Sequence, residues 1–220
     1  SYQNFSNLCD FFGRCTLNTG EKILVLFMTF LLAFIGFLAF YVPPNNFDAT
    51  LYHVSRVEHW IQNQTLAHYP TNILSQLYSS PLPAILILHF RVLTSSDYFS
   101  NFIQWLSLIG CVIGISLLAA KTGVSRAGQW ISAFFCLTIP MAILEGSTSQ
   151  SDLLLAFFMI CFLTGLFSWR ESRNSNDRLF MGLSLGLAIS AKGTAYIFGF
   201  PFFLYFIRRL YKTSRADFLI

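Results

Sequence analysis

Residues Ile23–Val42 read ILVLFMTFLLAFIGFLAFYV and run directly into Pro43, Pro44, Asn45, Asn46, Phe47 and Asp48. About 20 apolar residues carry one helix across the hydrocarbon layer of a bilayer. No charge interrupts this run, and it is too long and wrongly flanked for a cleavable signal. Proline has no N–H to give to a helix and disfavours helical backbone in the residue before it, so Pro43 and Pro44 end the span. The rest of the chain has the same character. Its 220 residues are 55% hydrophobic, 17% aromatic and 11% charged, with a mean hydropathy of +0.58. Soluble chains carry roughly a quarter charged residues. The composition therefore indicates an integral membrane protein and excludes a soluble enzyme, a disulfide-stapled secreted domain and a disordered tail. The 25 Phe suit ring faces turned toward lipid. Cys111, Cys136 and Cys161 fall inside apolar runs, and Cys9 and Cys15 precede the first one. They read as small hydrophobes rather than a disulfide framework.

Further runs near spanning length cover Asn101–Ala120, Ala127–Leu144 and Leu153–Trp169. The stretch Leu179–Ile207 is too long for one span and short for two, and with Lys192 and Gly193 near its middle it reads as a tight hairpin of two short helices. Pro81–Leu93 has the length of an interfacial or re-entrant segment. If it does not cross, eleven of the 14 basic residues fall on one side: Arg14, Lys22, Lys121, Arg126, Arg170, Arg173, Arg178, Arg208, Arg209, Lys212 and Arg215. Only Arg56, Arg91 and Lys192 remain opposite. Orientation follows Lys and Arg rather than net charge, so this bias places both chain ends in the cytoplasm. The acids divide evenly, with Asp48, Glu58, Asp97, Glu145 and Asp152 outside. The expected fold is all-α: a single transmembrane bundle over residues 1–220 with six crossings and a long first external segment, 43–100. The start at Ser1 and the stop in mid-pattern at Ile220 read as a portion of a longer protein.

Within the external segment, Asp48, Tyr52, Ser55, Arg56, His59 and Asn63 share one face of a helical pattern, and Leu51, Val54, Val57 and Ile61 the other. This predicts an amphipathic helix on the membrane surface, apolar side down. Pro81–Leu93 is then a second surface helix. Two more external points follow: the turn from Glu145 to Asp152, and the hairpin tip Ser190-Ala191-Lys192-Gly193-Thr194. Asp48, Glu145 or Asp152, and Lys192 thus come to one face. Carboxylates opposite a cation at a bilayer boundary suit a polar substrate whose lipid tail stays in the membrane, and boundary ionisable groups are functional candidates.

Each of these residues also has a plainer reading. Asp48 suits the first turn of a helix through the dipole, Asp152 suits a cap of the following span, and Lys192 suits a snorkelling side chain at a helix end. Glu145 sits in a polar turn, and His53, on the apolar edge of its helix, reads as a packed histidine. No HExxH or cysteine pair marks a zinc site.

The first span followed by Pro43, Pro44, Asn45, Asn46, Phe47 and Asp48, then Tyr52, His53 and Arg56, resembles the start of polytopic GT-C glycosyltransferases. The likeness is to the bacterial branch related to protein mannosyltransferases and lipid A aminoarabinose transferases. Later pieces agree in order: Pro140, then Ser151-Asp152-Leu153-Leu154, then Gly186 to Thr194. The resemblance implies transfer of a sugar from a polyprenyl-phosphate donor to a glycan, lipid or protein acceptor at the external face of a bacterial inner membrane, with no nucleic-acid partner. It implies Asp48 and Asp152 as catalytic acids and Lys192 facing the donor phosphate. Tyr52, His53, Arg56 and Glu145 join them as substrate-binding candidates. It differs at Ala49, where many relatives carry Glu. It also implies that the chain is the N-terminal module of a longer enzyme.

The chemistry of such a transfer needs a base for the acceptor hydroxyl and positive charge for the leaving phosphate. Asp48 fits the first role, and Lys192 with Arg56 the second. Asp48 and Asp152 are the ligands available to a divalent cation, if one is used. A single displacement inverts the anomeric centre. Two other readings stand beside this one: a lipid-handling or transport component with broken helices, and a non-catalytic membrane subunit of the same fold.

Overall fold

The computed structural model describes residues 17–217, with side chains through residue 208, and is all-helical within them. Cys9 and Cys15 lie outside the described residues. Helix α1 (Thr19–Tyr41) starts at a capping box in which Asn18 Oδ1 accepts from the Glu21 N–H at 2.8 Å and Glu21 Oε2 accepts from the Asn18 N–H at 2.9 Å. Its buried residues, Met28, Ile35, Gly36 and Ala39, form one thin stripe at helical spacing. The Phe residues of the other faces, Phe30 and Phe34 among them, stay exposed. In a water-soluble protein such a surface would be an aggregation hazard. Here it is the surface a bilayer covers.

Among the described residues, helix α1, α5 (Phe102–Lys121) and α8 (Asp152–Ser172) are the three long and apolar enough to cross a membrane. Helix α8 is the central one. It buries residues all along its length, from Leu153 to Trp169, against α5 on one side and α9 (Ser175–Ala191) on the other. Gly165 permits the second approach, since a Cβ there would stand 3.0 Å from Phe180 and 3.2 Å from the Cβ of Met181. Long helices successive in the chain run in opposite directions, so α5 and α8, which both start at the same end, pack in parallel, Gly110 facing Phe157 and Gly114 facing Ile160. Arg126 Nη2 meets Glu21 Oε2 at 3.1 Å at one end of the bundle, and Asn101 Nδ2 donates to Val42 O at 2.8 Å at the other.

The expected single span Ala127–Leu144 is two helices, α6 (Arg126–Thr138) and α7 (Pro140–Glu145). Pro140 removes the N–H that would continue α6, and Ile139 before it takes an extended conformation (ψ 122°), so Pro140 starts a new helix as its first residue. The hairpin expected over Leu179–Ile207 is present as α9 and α10 (Ala195–Asp217), both longer than the sequence suggested, with the chain turning at Lys192 (φ −158°, ψ 136°).

The segment 43–100 folds onto the bundle. A π-helical turn, Ala49–His53, leads into α2 (Val54–Asn63), followed by α3 (Ser75–Tyr78) and α4 (Leu82–Thr94). The apolar side of α2 does not face lipid as the pattern predicted. Val57 and Trp60 pack with Ala84 and Ile87 of α4, and that cluster continues into Ile103, Leu154 and Ala191. Arg91 of α4 joins the layer from its rim, bonding Glu58 at 2.8 Å and Asp97 at 3.3 Å.

The contact between α1 and α5 depends on Gly36. A Cβ there would fall 2.6 Å from the Trp105 ring, which is held by its Nε1–H donating to Leu32 O at 2.8 Å. We expect Gly36→Ala to lower stability by about 1–3 kcal/mol. Gly182→Ala, where a Cβ meets nothing within 4 Å, should be neutral or mildly stabilising through helix propensity. Thermal unfolding of the detergent-solubilised protein compares the two.

Candidate functional site

The end of the bundle that carries the Asn101–Val42 contact also holds the polar cluster. Asn101 Oδ1 accepts from Ser149 Oγ at 2.5 Å, which fixes the turn between α7 and α8. From that turn the first residue of α8, Asp152, projects toward the turn after α9. There Lys192 Nζ meets both carboxylate oxygens of Asp152, at 2.6 and 2.8 Å. Both side chains are partly exposed, 34% and 41%. A solvent-accessible pair of this kind contributes little to stability, ~0–1 kcal/mol, so another anion can displace Asp152 from Lys192 at small cost.

Beside the pair lies a cavity of about 360 Å³. The π-turn contributes Tyr52 and His53, the α3 region contributes Ser75, Tyr78, Ser79 and Ser80, and the far wall is Ser151 and residues 191–194. Ser80 Oγ donates to Ile189 O at 3.4 Å, linking the α3 wall to α9. Asn46 Oδ1 accepts from the Ala49 N–H at 2.8 Å and starts the π-turn. Asp48 occupies the position before that turn without capping it.

The electrostatics tie these residues together. Burial pushes the Tyr52 hydroxyl up to about 12, and the carboxylates of Asp48 and Asp152 add to the shift. Tyr52 is therefore a proton-bearing donor at neutral pH, flanked by both acids. His53 is 3% exposed, and its imidazole is pushed down to about 4, first by burial and then by the charges of Arg56 and Lys192. It is neutral, and its Nε2 has no hydrogen-bond partner among the described residues. Glu145 is pushed up to about 7 by burial and by the Asp152 charge, with Lys192 opposing.

The structure thus brings Lys192, Tyr52 and His53 to one cavity, with Asp152 bonded to Lys192 beside it and Asp48 and Glu145 within electrostatic reach. Arg56 lies elsewhere. The sequence pattern put it on a solvent-facing side, but it is 3% exposed, and its guanidinium donates to the carbonyls of Ser75, Gln76, Ser79 and Ser80. It has no free fork to offer a phosphate. Sequence reasoning also missed Tyr78, Ser79 and Ser80 in the wall, and Asn101 and Gln104 beneath it. Gln104 carried a signal, an amide in the first turn of an apolar run.

The sequence is 30% identical over 168 residues to the lipid A galacturonosyltransferase RgtD of Rhizobium johnstonii, an alignment covering 74% of this chain and 33% of that protein. The likeness is to a glycosyltransferase. The chain spans about a third of that relative's length. No family model matches the sequence, and no solved structure does.

A divalent cation finds a poor set of ligands. Among the described residues no three His, Cys, Asp or Glu side chains converge as a metal site, and both oxygens of Asp152 are engaged by Lys192.

The Glu145 shift has a definite sign. Below about pH 4.5 the carboxyl is protonated in folded and unfolded chains alike; between about 4.5 and 7 only the folded state keeps the proton. Stability from this group therefore falls as pH rises through that window. Glu145→Gln should match the parent in thermal midpoint near pH 4 and exceed it near pH 8. Parallel pH dependence of the two proteins would contradict the burial of Glu145 beside Asp152.

Proposed function

We propose that the chain is the N-terminal membrane module of a glycosyltransferase that takes a sugar from a polyprenyl-phosphate carrier and transfers it to a lipid or glycan acceptor. In this reading the bundle crosses a bacterial inner membrane six times with both ends cytoplasmic, and the cavity opens on the external face. The observation that carries it is the convergence of Lys192, Tyr52 and His53 on one cavity, with Asp152 bonded to Lys192 beside it, in a chain similar over 74% of its length to a lipid A galacturonosyltransferase. A lipid A-like acceptor and a uronic-acid donor are the corresponding substrates of this proposal.

The chemistry follows from the charges. Asp48 takes the proton of the acceptor hydroxyl as its oxygen attacks the anomeric carbon. The bond from that carbon to the phosphate oxygen breaks, and the electron pair leaves on the phosphate. Lys192 exchanges Asp152 for this phosphate and stabilises the charge that develops on it. Released from Lys192, Asp152 accepts hydrogen bonds from sugar hydroxyls, and protonated Tyr52 and neutral His53 hydrogen-bond the sugar without adding charge. One displacement inverts the anomeric centre.

Asp48→Asn in the full-length protein, reconstituted in liposomes, should reduce sugar transfer ~10²–10⁴-fold while donor binding persists. Lys192→Ala should instead weaken donor binding. Normal transfer by Asp48→Asn would sink the assignment of the base.

A further inference from the structure

Arg56 is a buried cation whose charge is met by carbonyl dipoles and by the face of the Trp60 ring, 5.6 Å from its Cζ. Its Nε donates to Gln76 O at 2.6 Å, Nη1 to Ser79 O at 3.0 Å and Ser80 O at 3.4 Å, and Nη2 to Ser75 O at 3.1 Å. No carboxylate forms an ion pair with it among the described residues. Burying an unpaired charge is expensive, and fastening the α3 wall does not require one. Gln76 already does so, donating to Leu51 O at 2.8 Å and accepting from Tyr69 Oη at 3.2 Å and Thr71 Oγ1 at 3.0 Å.

What Arg56 adds is direction. In a trans peptide the carbonyl and the following N–H point opposite ways, and no peptide among the described residues is cis. With the Ser79 carbonyl drawn to Arg56, the Ser80 N–H is directed away from it, on a stretch whose residues line the cavity with Lys192. That N–H has no hydrogen-bond partner among the described residues. A peptide whose carbonyl is bound by a cation is also a more polarised donor.

Resting on the glycosyltransferase reading, we propose that Arg56 is a positioning residue that turns the Ser80 N–H into one half of an anion subsite, Lys192 Nζ being the other, for the phosphate of the lipid-linked substrate. The neutral His53 stands on the same cavity wall, kept neutral first by its burial and then by Arg56 and Lys192. The subsite recognises a phosphate oxyanion, which a polyprenyl phosphate headgroup or free phosphate can supply. The adjoining apolar helices favour the lipid.

The test measures binding of polyprenyl monophosphate, and of uncharged polyprenol, to the purified full-length protein in nanodiscs. Ser80→Pro deletes the N–H, and Ser79 already has the extended backbone (φ −63°, ψ 145°) that a following proline requires. Ser80→Ala keeps the N–H and removes the hydroxyl. Arg56→Lys keeps the charge but cannot span four carbonyls. Ser80→Pro and Arg56→Lys should each weaken polyprenyl monophosphate binding ~10-fold and leave polyprenol binding unchanged, whereas Ser80→Ala should bind as the parent does. Full affinity in Ser80→Pro, or equal loss for phosphate and polyprenol, overturns the subsite. Displacement of the lipid by millimolar inorganic phosphate overturns its assignment to a lipid headgroup. A parent protein that does not bind polyprenyl monophosphate at all refutes the glycosyltransferase reading. Binding that is lost in Lys192→Ala but kept in Ser80→Pro and Arg56→Lys refutes both the Ser80 N–H half of the subsite and the role of Arg56, and leaves the glycosyltransferase reading standing.

Discussion

The first turn of α8 has N–H groups that no preceding turn can accept, and Ser151 offers no side-chain cap. Gln104 of α5 meets this need from outside the helix: its Oε1 accepts from the Leu154 N–H at 3.0 Å. Both partners are buried, so the bond is shielded from competing water and costly to break. It pins the start of α8 to α5, and with it the carboxylate of Asp152. Lys192, on the far wall of the cavity, is therefore met by an acid whose place is set from α5.

Asn101 extends the same logic by three residues. Its amide donates to the end of α1 and its carbonyl oxygen accepts from Ser149. One side chain thereby ties the exit of the first span, the entry of α5 and the turn before α8. The segment that carries Asp48 and Tyr52 leaves α1 just beyond this tie. Acids that stand far apart in the chain reach one cavity because two buried amides at one end of α5 hold three helix ends together.

Much of this was legible in the sequence, and the exceptions have physical reasons. The first span was evident from uninterrupted apolarity, and the meeting of Asp152 with Lys192 from the way spans alternate in direction. Arg56 was misread because periodicity assigns a side chain to a face of its own helix and says nothing about what covers that face. The covering strap, 64–81, has no periodic pattern of its own. The π-turn was equally hidden, since it displaces Tyr52 and His53 from the positions that 3.6-residue spacing gives them. Pro140 was visible in the chain, but the hydrophobic content on both sides of it outweighed the break. Gln104 and Asn101 looked like polar edges of a span and prove to be fasteners.

The break at Pro140 also divides the apolar height of this flank. Thirteen residues of α6 rise only about 20 Å, less than the roughly 30 Å of a hydrocarbon layer. The six residues of α7 add about 9 Å, with Met141 and Leu144 exposed on it and Ile139 exposed at the joint. Apolar surface of bilayer height on this side is therefore shared by two helices that meet at Pro140, on the flank that leads into the turn before Asp152.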